Sequence, residues 1–430
     1  MGDSLLWDHF TCYSKAMLEA IKPILAKRVV RLITSRLGER ELQAVPTSRM
    51  GGRAPTDQPS TLLQLCRLIR MRALSTAALV SLAVVSAIVW SQISPTRPSL
   101  ARAAFAPFDA TRPGYGIDLV ASEPTDQPMA YALYALAAAE LGDAARAKIA
   151  ADWLVANSRQ SKGIGWGINW PWDAFSDHSV NPADTIYGIT VALAVRALLD
   201  TNEIAPNEAY IVTARAALDT YATSFVPTET GGFFPYSLEP ADRKDTHNVN
   251  AALAGLYARV SVMQDEPVFR DLAKKAAHHV WANRIEKDSE VWWPYSEVAP
   301  RPNDAVHASY IVDGLLGVAR AVGFDEDLRP AVKHLKSFAR NGKVYTMPDV
   351  PGLSMKAREH IAHLWGAGML LYALIDAGER EAAEAMLPAI QAYETTPGVY
   401  GLKPDDHRFV PRHQGHLVWG LARLERGGRV

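Results

Sequence analysis

Cysteine is scarce in this chain. Its 430 residues include two cysteines, Cys12 and Cys66, and both precede an uncharged hydrophobic stretch at 73–90. The sequence after that stretch therefore has no disulfide, no thiolate nucleophile and no cysteine-ligated metal. A strong net charge is also missing. The formal net charge is -1, so no global field favours nucleic acid or an acidic membrane surface.

The hydrophobic stretch at 73–90 is long enough to cross a bilayer core. Arginines precede it and Trp90 ends it, which by the positive-inside rule puts the N-terminus in the cytoplasm and the following residues outside. A small-residue cleavage pattern at 101–103 lies well beyond the stretch, so an uncleaved anchor is favoured over a signal peptide. The expected segments are a poorly structured extension or over-long start (1–70), a transmembrane anchor or signal-type segment (73–92), a linker (93–114) and an extracytoplasmic domain, periplasmic or on the cell surface (115–427).

A local pattern recurs along that domain at intervals of about one helical hairpin. Each copy has a loop rich in aromatic residues, glycine or proline, then polar residues at i and i+3, then small and aliphatic residues. The clear copies start 63, 57, 56 and 53 residues apart, and a weaker copy starts at Asp126. Positions i and i+3 share one helix face, which predicts a ring of helices with a polar mouth. The polar pairs are Asp184/Tyr187, His247/Asn250, Asp304/His307, His360/His363 and His413/His416.

The helix candidates alternate in character, and the fold class they predict is all-α. The segments that carry the polar pairs are apolar on nearly all sides, which predicts buried inner helices; they are 126–141, 184–200, 247–262, 304–322, 360–377 and 413–425. The segments that follow are amphipathic and charged, which predicts an outer layer; they are 143–157, 206–224, 266–285, 326–341 and 379–393. Short β-ribbons are expected before inner helices at 231–237, 291–296 and 398–402.

About six alternations of inner and outer helices, with aromatic loops on one side, resemble the (α/α)6 toroid. This is the six-hairpin architecture of many glycoside hydrolases, polysaccharide lyases and uronyl epimerases, and the resemblance covers about residues 115–427. The toroids of isoprenoid cyclases are similar, but their Asp-x-Asp-Asp signature is absent, and the sequence at 404–407 does not match it. The resemblance implies a carbohydrate-active enzyme that cleaves glycosidic bonds of a polysaccharide as a hydrolase or a uronate lyase or epimerase. The stretch at 73–90 adds the expectation that this enzyme is membrane-anchored.

The aromatic loops suit a sugar ligand. Tryptophan is abundant, with eleven residues, and a pyranose ring stacks its C–H face on such rings while its hydroxyl groups need fixed polar partners. The alternative is that these rings fill gaps between helices, as buried aromatic residues usually do. The expected substrate-binding residues are Trp166, Trp170, Trp172, Tyr187, Tyr236, His247, Asn250, Trp292, Trp293, Tyr295, His360, His363, Arg412, His413 and His416.

Two chemistries stay open at the helix openings. Glycoside hydrolysis needs two carboxyl groups, about 5–5.5 Å apart for retention or about 6.5–9.5 Å for inversion, and the resemblance favours Asp184 and Asp304, with Asp173. Elimination or epimerisation of a uronate needs a general base at C5, for which His307 with a tyrosine is the candidate; Tyr236, Tyr295 and Tyr310 are the available tyrosines. A simpler interpretation is that the aspartates cap helices.

We expect no cofactor and no metal, because the two His-x-x-His pairs lack a third fixed ligand. Arginines in the mouth loops, among them Arg301 and Arg412, are candidates for pairing with a substrate carboxylate. The expected partners are a polysaccharide or oligosaccharide substrate and a membrane, through 73–92, but no nucleic acid. Two other functions stay open: a non-catalytic glycan-binding component of envelope or exopolysaccharide assembly, and an isoprenoid cyclase-like toroid.

Overall fold

A computed structural model of the chain describes residues 99–350 and 353–427. The segments predicted at 1–70 and 73–92 lie outside these ranges. The described chain begins with two short helices, α1 (Leu100–Ala103) and α2 (Ala106–Asp109). Six longer helices follow at intervals and form an inner ring. They are α3 (Pro128–Glu140), α5 (Gly188–Ile204), α7 (His247–Met263), α9 (Ala305–Val322), α12 (Leu364–Asp376) and α15 (Pro411–Arg426).

The outer layer consists of the helices that follow each of the first five inner helices. They are α4 (Ala144–Ala156), α6 (Glu208–Ala222), α8 (Pro267–Ala282), α10 (Arg329–Lys336) and the broken pair α13 (Arg380–Glu384) and α14 (Leu387–Gln391). A further short helix, α11 (Met355–Arg358), lies in the loop before α12. Each inner helix packs against the next one along the chain, and α15 returns to α3, so the ring is closed.

Two-stranded antiparallel hairpins link the outer layer to the inner ring, which confirms the expected ribbons. Each contains short strands of two to four residues, and none joins another hairpin into a larger sheet within the described residues. The strands are β1 (Tyr115–Gly116), β2 (Thr125–Asp126), β3 (Arg159–Gln160), β4 (Gly163–Ile164), β5 (Val226–Thr228), β6 (Gly231–Phe233), β7 (Ile285–Lys287), β8 (Glu290–Trp292), β9 (Pro294–Ser296), β10 (Ala299–Pro302), β11 (Ala339–Arg340), β12 (Lys343–Val344), β13 (Glu394–Thr396) and β14 (Val399–Tyr400).

Small residues let the inner helices approach one another closely. Gly314 of α9 faces the backbone of α7, where a Cβ added to it would lie 2.2 Å from the carbonyl oxygen of Ala251. Gly368 of α12 faces α15 in the same way, with an added Cβ 2.4 Å from the backbone nitrogen of Leu417. Side chains at these positions would push the helices apart, so the glycines set the width of the ring.

The polar pairs sit at the helix starts, but not all of them lie on the helices. The pairs beginning at His247 and His413 fall in the first turns of α7 and α15, and Asp304 is the N-cap of α9. Asp184 and His360 instead precede α5 and α12 by four residues, so their pairs do not share a helical face.

Residues 100–109 fall within the predicted linker, yet they form α1 and α2 and belong to the folded unit. Phe105 and Phe108 are buried and meet the ring of Tyr134 edge-on, with centroids 4.9 and 5.6 Å away. The side chain of Ser99 donates a hydrogen bond of 2.5 Å to Glu425 near the end of α15. The apolar rings in this short segment are the physical reason that it packs rather than serving as a spacer.

One helix of the described residues, α9, is long and apolar enough to cross a membrane by length and composition alone. It is the fourth member of the inner ring, and most of its residues are buried against its neighbours. Burial by protein accounts for its composition, as expected for an inner helix. The segment predicted as an anchor, 73–92, lies outside the described residues.

Candidate active site

A cavity of about 290 Å³ opens at the N-terminal ends of the inner helices. The hairpins and long loops all enter the ring from this side, so the polar residues of several repeats meet there. One wall comes from the loops before α3 and α5, and the opposite wall from β9, β10 and the start of α9. The floor includes Tyr310 and His416, one turn further into the ring.

Asp304 and His307 form a hydrogen-bonded pair at the cavity wall. As N-cap of α9, Asp304 accepts the backbone N–H of His307 at 3.1 Å, and the same oxygen, Oδ1, lies 2.7 Å from the ring nitrogen Nδ1 of His307. A carboxylate only accepts hydrogen bonds, so Nδ1 carries the proton and Nε2 of the neutral ring keeps its lone pair. This is the arrangement of a general base held in one tautomer by a carboxylate.

The surroundings of Asp304 keep it ionised. Burial alone would raise the pKa of its carboxyl, but the electrostatic interaction and hydrogen bonds with His307, together with the nearby Arg301, outweigh burial and lower the pKa below its usual value. About 15% of the Asp304 side chain is exposed, which leaves it accessible from the cavity. Arg301 itself is exposed and makes no ion pair with another described residue. Its guanidinium lies 4.9 Å from the centre of the Tyr295 ring.

A second hydrogen-bonded pair lies at the floor, where Tyr310 approaches His416. The Nδ1–H of His416 donates to the carbonyl oxygen of Arg412 at 2.6 Å, which leaves Nε2 to accept the hydroxyl of Tyr310 at 2.5 Å. Burial lowers the pKa of His416 to about 3, so this ring stays neutral. Burial also raises the pKa of Tyr310 well above its usual value, so the phenol keeps its proton.

Arg412 is a second cation of the cavity, but its charge is already neutralised. Its guanidinium binds both oxygens of the buried Asp118, one of them at 3.0 Å, and lies 4.7 Å from the centre of the Trp365 ring. Trp365 also stacks on His413, with ring centres 4.8 Å apart and nearly parallel planes. Arg412 therefore fixes the loop at 117–124 and the indole of Trp365. Among the described residues that line the cavity, Arg301 is then the cation accessible to a ligand.

In the aromatic wall, most rings pack on one another, but one ring has no aromatic neighbour among the described residues. Trp172 meets Tyr187 edge-on with ring centres 5.5 Å apart, and Tyr236 packs between that pair and Phe175. Trp170 also lines the cavity and makes no ring contact within the described residues. Its face is therefore the best placed for a sugar.

Three buried polar atoms of the cavity residues have no hydrogen-bond partner among the described residues. They are the indole nitrogen of Trp170, the side-chain carbonyl oxygen of Gln127 and that of Asn248. Buried polar groups are nearly always paired in folded proteins. Hydroxyl groups of a ligand, or water molecules, can accept the indole N–H and donate to the two carbonyl oxygens.

Two of the candidate aspartates do not line this cavity. Asp184 is exposed in the turn before α5, where its φ of 63° places it in the left-handed region. Asp173 accepts the backbone N–H groups of Asp177 at 3.2 Å and His178 at 2.9 Å, so its carboxylate holds its own loop. Among the described residues, Asp304 is thus the one carboxylate that lines the cavity.

Several expected sugar-binding residues lie in the packing of the ring instead. Trp166 and Trp293 are buried and donate their indole N–H groups to backbone carbonyls of Leu154 and Val280. Trp292 stacks on His334 of α10, towards the outer layer. These rings fill gaps between helices, which was the alternative interpretation for them.

The polar pair of the third repeat, His247 and Asn250, holds neighbouring parts of the fold together and does not line the cavity. His247 is buried with Nδ1 2.8 Å from the carbonyl oxygen of Pro294. Asn250 accepts the backbone N–H of Phe234 at 2.6 Å and donates to Asp245 at 3.0 Å. Both side chains tie the hairpins to α7, and neither lines the cavity.

The last two repeats place their histidines around Trp365. His360 and His363 line a smaller neighbouring cavity, and His413 is buried between Trp365 and His363. Of the expected residues, the main cavity therefore brings together Asp304, His307, Trp170, Trp172, Tyr187, Tyr236, Tyr295, Arg412 and His416.

Two residues of this site escaped the sequence analysis. Gln127 directly follows Asp126, the start of the weak sixth copy, and this position is the signal that would have identified it. Asp118 gives no such signal, because its role depends on Arg412, 294 residues further along the chain.

The comparisons with known proteins agree with this architecture. No protein-family model matches the chain, and no curated protein matches its sequence. Solved structures do match. An α-mannanase of glycoside hydrolase family 76 from Bacteroides thetaiotaomicron has a TM-score of 0.56 and 12% identity, covering 77% of this chain and 95% of the mannanase. The fold is the (α/α)6 toroid.

Two further toroids extend the range of chemistry among the similar structures. A sugar epimerase from a ruminal bacterium has a TM-score of 0.52 at 12% identity, over 77% of this chain and 98% of the epimerase. An unsaturated glucuronyl hydrolase from Bacillus sp. GL1 has a TM-score of 0.51 at 15% identity, over 76% of this chain and 95% of the hydrolase. At these identities the likeness concerns the fold, and the reaction must be argued from the site itself.

Proposed function

We propose that this toroid is a carbohydrate-active enzyme that removes the C5 proton of a uronate residue in an acidic polysaccharide. The observation that carries the proposal is the Asp304–His307 pair, which presents an imidazole nitrogen with a free lone pair in the cavity. Arg301 lines the same cavity and makes no ion pair with another described residue. The names of the similar structures, which include a polysaccharide lyase and a sugar epimerase, support a glycan as the substrate.

Hydrolysis by two carboxyl groups has less support. That mechanism needs an acid and a base on opposite sides of the scissile bond, and among the described residues Asp304 alone supplies a carboxylate to the cavity wall. Asp118 is buried beneath Arg412 and does not line it. An isoprenoid cyclase also fits poorly, because the cavity contains two arginines, an aspartate and two histidines.

The proposed reaction uses these groups in order. Nε2 of His307 takes the C5 proton, while Asp304 stabilises the imidazolium that forms. The electron pair left at C5 spreads into the adjacent carboxylate, whose growing charge Arg301 offsets. In elimination this pair forms the C4–C5 double bond as the C4–O bond breaks, and His307 returns the proton to the leaving oxygen. In epimerisation the hydroxyl of Tyr310, at the cavity floor, donates a proton to the opposite face of C5. The phenolate then regains a proton from water and the imidazolium of His307 releases its own, which restores both residues.

Exchange at C5 tests the step that both reactions share. The purified chain would be incubated with acidic polysaccharides in D2O, and NMR would follow loss of the C5 proton while ultraviolet absorbance reports unsaturated product. We expect loss of the C5 proton from the wild type, accompanied by ultraviolet absorbance if the reaction is elimination. His307→Ala should give neither signal. His278→Ala, on the outer helix α8, is the matched control and should keep the wild-type rate.

Two results would contradict the proposal. Saturated products with new reducing ends and no C5 exchange would indicate hydrolysis. Binding of the glycan with no turnover of any kind would instead favour the non-catalytic glycan-binding component.

We also propose that segment 73–92 anchors the enzyme in a membrane with the toroid on the extracytoplasmic side. The support is the uncharged stretch at 73–90 and the arginines before it. Deletion of 73–92 should move the protein from the membrane fraction to the soluble fraction. Protease added to spheroplasts should digest the toroid of the intact chain, and a protected toroid would refute the orientation.

A further inference from the structure

A second cavity, of about 170 Å³, lies beside the first at the start of α9 and α12. Asp304, Val306 and Trp365 line both cavities, so the two cavities adjoin at these residues. The smaller cavity has room for about six water molecules, at about 30 Å³ each. That is the scale of one sugar ring and not of a chain. A glycan with its uronate against His307 would therefore extend into this space by one residue.

One carboxylate oxygen of Asp304 accepts no hydrogen bond from another described residue. Both of its hydrogen bonds, to the backbone and to the ring of His307, end on Oδ1. Oδ2 has no hydrogen-bond partner among the described residues, and Asp304 lines both cavities. A free carboxylate oxygen accepts a hydroxyl group readily and repels a second carboxylate.

The histidines of the smaller cavity carry no positive charge to offset Asp304. Nε2 of His360 lies 3.0 Å from the ammonium of Lys403, which can only donate, so Nδ1 of His360 carries the ring proton and donates to Thr346 at 2.9 Å. The ring of His363 has no hydrogen-bond partner within the described residues. Burial, helped by the charge of Lys403, lowers the pKa of His363 to about 4, so it is neutral and free to bind a hydroxyl.

Lys403 contacts His360 and does not line the smaller cavity. The two cavities therefore differ in charge. Asp304 lines both, but the larger one also contains Arg301, which makes no ion pair with another described residue. The described lining of the smaller one adds a neutral imidazole and the hydroxyl of Thr346 and no lysine or arginine. A carboxylate suits the first environment and a neutral sugar suits the second.

Resting on the proposed function, we propose that the smaller cavity is a subsite for an uncharged sugar, so that the substrate is a heteropolysaccharide in which a uronate adjoins a neutral residue. A homopolymer of uronates would place a second carboxylate against Oδ2 of Asp304. The chain should therefore discriminate against polyuronates even though both polymers contain the residue that reacts.

Affinity electrophoresis of the full chain measures this preference without requiring turnover. The probes are hyaluronan and unsulfated chondroitin, which alternate a uronate with a neutral sugar, and polygalacturonate and polymannuronate, which do not. We expect at least one alternating polymer to retard the wild type about tenfold more strongly, per unit concentration, than either homopolymer. One hydrogen bond or repulsion involving a charged group supplies at least that factor.

His363→Lys places a cation in the smaller cavity and should shift the ratio of affinities towards the homopolymers by about tenfold. His278→Lys makes the same charge change on the exposed side of the outer helix α8, where the ring contacts Phe324, and should leave the ratio as in the wild type. Equal wild-type affinity for both polymer classes, or an unchanged ratio in His363→Lys, would overturn the subsite. A glycan preference without any C5 exchange would refute the proposed reaction but not the subsite.

Discussion

The most direct perturbation of the proposed mechanism is Asp304→Asn. Asparagine is as good an N-cap as aspartate, so the start of α9 should keep its hydrogen bond to the backbone of His307. What changes is the partner of Nδ1 at 2.7 Å, because an amide no longer stabilises an imidazolium and its NH2 group can hold the opposite tautomer. General-base catalysis contributes about 10²–10⁴-fold to a rate, so kcat should fall within that range.

The assay is C5 exchange or elimination at saturating substrate, with the thermal midpoint measured in parallel. Asp143→Asn is the matched control, since Asp143 caps the outer helix α4 by accepting the backbone N–H of Arg146. Both variants should unfold near the wild-type temperature, and only Asp304→Asn should lose activity. The double variant with His307→Ala should be no slower than His307→Ala alone, because the two residues act as a unit. Activity within about threefold of the wild type in Asp304→Asn, well short of the range given for general-base catalysis, would refute the reasoning.

Three further predictions follow from the structure. Trp170→Ala should raise KM for the glycan by about three- to tenfold, the value of one aromatic contact, whereas Trp292→Ala, on the outer side, should leave KM unchanged. Gly314→Ala should lower the free energy of unfolding by about 1–3 kcal/mol, because its Cβ would lie 2.2 Å from a carbonyl oxygen of α7; Gly317→Ala, with 3.4 Å available, is the control in urea unfolding. Burial lowers the pKa of His416 to about 3 in the fold, against about 6.5 when unfolded, so its contribution to stability is full above pH 6.5 and is lost as the pH falls towards 3. Between pH 7 and 5, the free energy of unfolding should therefore fall less steeply with pH in His416→Gln, by up to about 1.4 kcal/mol for each pH unit.

The periodicity was sufficient to predict the architecture. Apolar helices with small residues at a spacing of 53 to 63 residues have few ways to bury themselves other than in a ring. The bounds of α7 and α9 came within two residues of the prediction, because polar residues mark their starts clearly. The loops before α5 and α12 were less predictable, since nothing local shows that Asp184 and His360 precede the helix rather than begin it.

The site was predictable in kind but only partly in membership. Asp304 and His307 lie three residues apart, so their contact is a local property that sequence spacing reports. The pairing of Arg412 with Asp118 and of Tyr310 with His416 joins residues 294 and 106 positions apart, and no local pattern reports either. For a similar reason, the sequence did not show which tryptophans line the cavity and which are buried in the core. Whether an indole such as Trp166 faces a ligand or a carbonyl depends on the neighbouring helix.

The arrangement of helix ends adds a physical reason for an acidic substrate at this mouth of the ring. All six inner helices begin there, and the positive ends of their dipoles converge on the cavity. Asp304 caps α9, but the other five inner helices have no side-chain hydrogen bond at the N-cap position. A uronate carboxylate entering beside Arg301 would meet this field as well as the guanidinium. If the field matters, then replacing Arg301 with glutamine should weaken binding of an acidic glycan without making the chain prefer neutral ones.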